Sequence, residues 1–426
     1  MIRSTAKHHW IVLAGAAALA LATFSTAAHS QQFALRDGET VVFYGDSITA
    51  QRLYTRLVEE FVLTRYPAMH VRFINAGVPG DTAYGGYAGK MAERVKRDVA
   101  PFQPAMITVL LGMNDGGWGP ESAKIDAAFQ DGYHALLQEL HKAVPGAEMT
   151  LICSTPYDEI THGTEFPGYS QTIDRNADDV SQIAAGLKAA GDNTISLADF
   201  HHPLVDALER AKARFPQLAP LLIPDHIHPS ETGHWIMAAA LMSAWHVDPF
   251  VSRLALNANS VKVVDAYRST VTNLEKPADG LTWTQIDEAL PLPLDFNHAM
   301  TPVLLDVSDI AAFDQLILKV DSLEAGNYQL SIDAKPIAVF SSEQLQHGVN
   351  LALYKTPMLD QARDIDWSEE RRSALDEASF ILSAEVKQSS TSATAQTRLR
   401  DGQDELAVAI RAKLHPTPHQ YELRRR

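Results

Sequence analysis

A single cysteine, Cys153, stands in 426 residues, so no intramolecular disulfide can form and the fold must be held by its core. Cys153 lies inside the apolar run Met149-Thr150-Leu151-Ile152-Cys153, the setting of a buried thiol rather than a reactive one. Positive charge is also scarce. Lys and Arg number 36 against 52 Asp and Glu, a formal charge of −16. That balance opposes binding to nucleic acid or to an anionic membrane and favours a self-repelling, soluble chain. The terminal Arg424-Arg425-Arg426 is a local exception, expected to be a frayed end. Neither H-E-x-x-H nor G-x-S-x-G occurs, which excludes a zincin and an ordinary α/β-hydrolase elbow. The stretch Gly85-Gly86-Tyr87-Ala88-Gly89-Lys90 approaches a phosphate loop, but Tyr84 stands where its first glycine belongs and Met91 replaces its Ser/Thr. The 17 histidines are scattered without metal-ligand spacing, His201-His202 being the one pair to watch. No metal and no cofactor are expected.

The first thirty residues read as an export signal rather than as fold. Arg3 and Lys7 supply the positive start, Ile11 to Phe24 an apolar stretch short for a membrane span, and Ala28-His29-Ser30 a cleavage site. The expected organisation is a leader over 1–30, a main domain over 31–252 and a C-terminal extension over 253–426. The expected location is periplasmic or extracellular, with no stable membrane insertion once the leader is removed.

From 38 to about 247, strand and helix patterns alternate. Strands are expected at 40–44, 70–75, 105–111, 148–153 and 194–198, and helices at 50–65, 86–99, 121–143, 171–190 and 231–245. Alternation with near-continuous apolar strands implies an α/β fold, a three-layer flavodoxin-like sandwich of about five parallel strands. The loops after such strands converge on one rim of the sheet. After the first strand comes Gly45-Asp46-Ser47, with the serine at a strand end and a helix start. After the second comes Asn75-Ala76-Gly77 and Val78-Pro79-Gly80-Asp81-Thr82. After the third comes Gly112-Met113-Asn114-Asp115. Asp225-His226-Ile227-His228 opens the last long helix. Each part has a plain reading of its own: Asp46 or Ser47 as a helix cap, Gly77 as a tight turn, Asn114 as an Asx turn, Asp225 as a cap, His228 as a surface histidine. Their conjunction at matching strand ends supplies a full set of parts for acyl transfer.

Those four blocks, in this order and at these spacings, resemble the SGNH/GDSL hydrolase superfamily over roughly residues 38–247. The resemblance implies Ser47 as nucleophile, His228 as general base and Asp225 as the group orienting it. It also implies an oxyanion hole made of the Ser47 and Gly77 N–H groups and the Asn114 side chain. The chemistry agrees, since a serine hydroxyl needs a neutral imidazole to take its proton. A carboxylate three residues from that imidazole can fix its tautomer. His226 is a rival base, but Asp225 cannot easily turn onto the ring of its immediate neighbour.

Asp46, Tyr84, Trp118 and Tyr157 lie in or near the rim loops as candidate substrate contacts, with Tyr87 beside them. Flat rings there suit sugar faces, although stiffening a loop explains them equally well. An exported enzyme of this kind is expected to remove acetyl or other short acyl groups, with an acetylated glycan or small acyl ester as substrate. The superfamily also holds lipases and lysophospholipases, and a non-catalytic glycan-binding protein on the same fold is the other alternative. Beyond residue 250 the pattern changes. Residues 257–306 read as irregular, and 316–320, 328–332 and 337–340 as strands of a small antiparallel module. Helices are expected at 358–385 and 396–413, with a flexible Ser/Thr-rich loop at 388–397. The extension resembles those of some bacterial secreted members, and completing the core is its default role.

Overall fold

The β-branched, apolar run Val41-Val42-Phe43-Tyr44 forms strand β1 (Thr40–Gly45), buried from Val41 onward. In the computed structural model, which describes residues 33–384 and 389–426, it is the second strand of a five-stranded sheet. The other members are β2 (Arg72–Gly77), β3 (Met106–Leu110), β4 (Glu148–Cys153) and β5 (Ile195–Asp199). Their order is β2-β1-β3-β4-β5, with every pair parallel. The leader expected over 1–30 lies outside the described residues.

Alternation along β1 divides the core. Val41 and Phe43 join a cluster with α2 (Leu53–Arg65), α5 (His201–Arg214) and α6 (Glu231–Ala244), whereas Val42 and Tyr44 join one with α3 (Ala123–Ala143) and α4 (Tyr169–Ala189). Period-two side chains pointing to opposite faces produce the three layers. Cys153 is buried in the second cluster, and desolvation pushes its thiol up to about 12. Among the described residues no helix is long and apolar enough to cross a membrane.

Several expectations need correction. Residues 86–99 do not form one helix: a small hairpin pairs Gly85–Gly86 with Gly89–Lys90, and a short helix from Met91 runs on as a π-turn to Val99. Nor is 257–306 irregular throughout. Four strands run from 250 to 287: β6 (Phe250–Asn257), β7 (Lys262–Tyr267), β8 (Ser269–Glu275) and β9 (Gly280–Asp287). They combine with β10 (Gln315–Asp321), β11 (Asn327–Ile332), β12 (Lys335–Ser341), β13 (Val349–Asn350) and the last strand, β14 (His419–Arg425). One sheet is ordered β8-β9-β14-β11-β12 and the other β13-β10-β6-β7. Their inner faces share a core that includes Leu254, Leu318, Trp283, Leu330 and Leu423.

The arginines at the end of the chain are therefore not frayed. Arg424 and Arg425 stand in a strand paired on both sides. Between β13 and β14 a helical hairpin, α7 (Pro357–Ala384) and α8 (Ser390–Lys413), packs back on α2 through α7. Of the segment 388–397, expected to be a loop, residue 388 lies outside the described residues and the rest is mostly the first turns of α8, capped by the Ser389 side chain.

Candidate active site

Strand β1 ends at Gly45, and α1 (Ser47–Ala50) begins two residues later with Asp46 as its N-cap, whose Oδ1 accepts from Ile48 N–H at 2.9 Å. So abrupt a turn leaves no room for a side chain at Gly45, where a Cβ would stand 2.2 Å from Thr49 Oγ1. Ser47 is thereby held at the sheet rim, half-buried.

His228 reaches it from the loop before α6, with Nε2 2.8 Å from Ser47 Oγ. Its other ring nitrogen, Nδ1, lies 2.7 Å from Asp225 Oδ2. Asp225 Oδ1 accepts from the backbone N–H groups of His228 (2.7 Å) and Ile227 (3.1 Å), so one carboxylate shapes the loop and orients the ring. Burial would raise that carboxyl, but the His228 backbone and side chain together with Ile227 N–H hold it below its ordinary value. His226, the rival, is turned away. Its Nδ1 meets the Asp158 carbonyl at 2.8 Å and its ring stacks on Tyr157.

Asn114 extends Nδ2 to the Asp81 carbonyl at 3.0 Å and toward Asp46 Oδ2 at 3.5 Å. Gly77 behaves differently from expectation. Its N–H is already donated to Asn75 Oδ1 at 3.0 Å, so an incoming oxygen would have to displace that contact. What makes residue 77 a glycine is the close pass of α1, because a Cβ there would lie 2.3 Å from Ala50 N. Three residues on, Gly80 has a left-handed backbone (φ +71°), and its N–H makes no hydrogen bond among the described residues.

Three supports were invisible in the sequence. Arg94, fully buried, is ion-paired with Asp81 and with Asp98 (3.1 Å), donates to the Ala76 carbonyl and lies over the Tyr44 ring. It fixes the loop that presents Asp81 to Asn114. Asn75 Nδ2 holds the Thr49 carbonyl (2.7 Å) behind Ser47. His234, fully buried in α6, accepts from Tyr54 N–H at Nδ1 (3.1 Å) and stands 3.0 Å from Gln51 Oε1 through Nε2. Desolvation, the nearby His228 and Arg56 push its imidazole down to about 3, which keeps it neutral. Burial pushes Asp46 and Asp115 the other way, each up to about 7. A buried histidine four residues into a helix and an arginine seventeen residues beyond a glycine loop carry no local signature.

The expected aromatic contacts divide. Trp118 remains 38 % exposed and stacks on Tyr169 at 4.9 Å beside Phe166, while Tyr169 O–H donates to the Met113 carbonyl next to Asn114. Tyr157 is only 2 % exposed and packs beneath this group, so it offers no open face. Tyr84 is half exposed, with its O–H on the Ala128 carbonyl and its ring against Gly132 of α3. His201 and His202 part company, one to the Ser154 carbonyl and Asp174, the other to Asp199. Among the described residues no group of three or more His, Cys, Asp or Glu is placed to hold a metal ion.

Residues 43–236 match the model of the GDSL-like lipase/acylhydrolase family. An acetylxylan esterase of Geobacillus stearothermophilus is 26 % identical over 227 residues, which is 48 % of this chain and 93 % of that protein. Among solved structures, a gut microbial diltiazem-metabolizing enzyme superposes with TM-score 0.78 at 24 % identity, covering 93 % of this chain and 99 % of that one. The likeness is one of fold and extends over the C-terminal sheets. A crystal structure of an acetylxylan esterase from Geobacillus stearothermophilus gives TM-score 0.38 at 22 % identity over 50 % and 97 % of the two chains.

Proposed function

Residues 43–236 are a GDSL-like lipase/acylhydrolase domain and the protein is a carboxylic ester hydrolase; on that premise we propose that Ser47, His228 and Asp225 carry out the hydrolysis and that the ester is a short acyl, foremost acetyl, group on a carbohydrate. The single observation behind the assignment is the unbroken line Ser47 Oγ–His228 Nε2–Nδ1–Asp225 Oδ2, with links of 2.8 and 2.7 Å. An ionised Asp225 places the ring proton on Nδ1 and leaves the Nε2 lone pair facing the hydroxyl. Ser47 Oγ attacks the ester carbonyl as its proton passes to Nε2. The tetrahedral oxyanion then collapses, expelling the sugar oxygen, which takes the proton from His228. Water repeats the sequence on the acyl-enzyme and releases the acid.

For the oxyanion, Asn114 Nδ2 and the Ser47 N–H are the first two donors. The third we assign to Gly80 in place of Gly77, because the Gly80 N–H is uncommitted and the next residue supplies the carbonyl that holds Asn114. The carbohydrate preference rests on Trp118, an indole stacked on Tyr169 with more than a third of its surface open, and on the relationship to an acetylxylan esterase. Export through the leader at 1–30 fits such a substrate.

Hydrolysis of p-nitrophenyl acetate by the wild type and Ser47→Ala tests the assignment. The rate should fall about 10³-fold or more in the variant, and equal rates would end it. Faster turnover of octanoyl than of acetyl esters, with no acetate released from acetylated xylan, would replace the carbohydrate reading with a lipase one.

A further inference from the structure

A cavity of about 420 Å³ lies away from Ser47, where the edge strand β2 and the start of α2 face the helical hairpin α7–α8. Its volume is in the range of small-ligand sites. Arg52, the N-cap residue of α2, lines it with only 8 % of its surface exposed. The backbone there is left-handed (φ +63°). The Arg52 guanidinium makes no hydrogen bond or ion pair among the described residues, and its Nε is buried without a partner.

The carboxylates lining the cavity are committed elsewhere. Glu59 and Asp376 both take Arg372, and Asp98 takes Arg94 and Arg97. Asp376 also lies within electrostatic reach of Arg52 and Arg72, so one carboxylate serves three guanidinium groups. Arg72 and Arg400, on opposite walls, have no ion pair among the described residues. Asp376, Glu377 and Glu59 act on Arg52 only at a distance, and a buried guanidinium with no directly bonded anion is costly, so a ligand oxyanion is the natural partner for its planar donor fork. The rest of the lining includes hydroxyl and amide groups of Ser373 and Gln403 and the ring of Phe380, while the Phe102 ring is covered by the Arg72 guanidinium at 5.4 Å. Donors for several hydroxyls beside a flat apolar face match a pyranose.

We propose that this cavity binds a carboxylate-bearing sugar, with Arg52 holding the carboxylate from below and Arg72 and Arg400 closing on it from the two walls. The site is separate from the reaction at Ser47 and does not depend on the ester assignment. It does abut the machinery, because Asn75 lines the cavity and also holds the Thr49 carbonyl behind Ser47.

Titration calorimetry of the full chain with D-glucuronate tests the proposal, with methyl glucopyranoside as the neutral control and inorganic phosphate as the competing oxyanion. Glucuronate should bind saturably to the wild type and equally to Ser47→Ala, and the neutral sugar should not. The dissociation constant should rise about tenfold or more in Arg52→Gln and in Arg400→Gln. Arg400 is on the exposed wall, so its variant decides the matter if Arg52→Gln does not fold. Absence of saturable binding at millimolar glucuronate, unchanged binding in Arg400→Gln, loss of binding in Ser47→Ala, or tighter binding of phosphate than of glucuronate would each overturn it.

Discussion

On the proposed roles, which nitrogen of His228 carries its proton decides whether Ser47 can be activated, and a single carboxylate sets that choice. Asp225 contacts Nδ1 at 2.7 Å and is tied by two backbone N–H groups, so it stays ionised to lower pH than an ordinary aspartate. In Asp225→Asn the amide can present its NH2 to Nδ1, turning the other tautomer's proton toward Ser47. We expect kcat for p-nitrophenyl acetate to fall about 10⁴-fold with KM little changed, and a KM effect with intact kcat would contradict this role. Asn114→Ala should lower kcat about 10²–10³-fold if Nδ2 binds the developing oxyanion. Gly77→Ala separates packing from chemistry. A Cβ 2.3 Å from Ala50 N should cost stability, about 1–3 kcal/mol or more, visible as a lowered melting temperature. A variant that melts normally but has lost activity would return Gly77 to the oxyanion hole. That Ser47, Asn114, Asp225 and His228 share one rim was legible in the chain because their loops follow β1 and β3 or precede α6, where residue type and position speak together. Arg94, Asn75 and His234 were not, since their partners are supplied only by the fold.

Among elements, the parallel sheet was readable and the C-terminal sheets were only half so, for a common reason. Strands β1, β3 and β4 are buried on both faces, so each is a continuous apolar run. Every residue of β7 is exposed, Val263, Val264 and Tyr267 included, and β8 has no buried one, so neither shows the buried face by which a strand is recognised. The alternation Leu281, Trp283, Gln285 in β9 was a usable sign, obscured by its position among prolines and loops. The least legible element was β14. Lying between β9 and β11, it fills the middle of its sheet with the last residues of the chain, and Tyr421 and Leu423 insert into the core. Deleting 416–426 should therefore unfold more than a tail. It opens a gap between two strands that do not otherwise pair and exposes their backbone groups. Rapid proteolysis throughout 250–415 is the expected result, and a truncated protein as protease-resistant as the wild type would refute the central placement of this strand.

Over the whole molecule, buried titratable groups pull stability in opposite directions as pH changes. Asp46 and Asp115, each raised to about 7, bind protons in the folded state between about pH 4 and 7 while the unfolded chain does not. Their contribution is therefore fully present at acid pH and is lost as pH rises through 7. His234 acts the other way. Held neutral down to about pH 3, it binds no proton in the folded state between about pH 3 and 6.5, where the unfolded chain does, so its linkage destabilises the fold as pH falls through that window. The slope approaches about 1.4 kcal/mol per pH unit for one fully linked group. Substituting His234 with Asn keeps an acceptor for the Tyr54 N–H while removing this titration, and leaves both carboxylates in place. The variant should be less stable than the wild type at pH 8, having lost the ring stacked on Tyr54. The gap in unfolding free energy between the two proteins should then narrow steadily from pH 6.5 to 4.5. Urea melts at intervals across that range measure it, and a gap that stays constant would mean the buried imidazole is protonated in the folded protein after all.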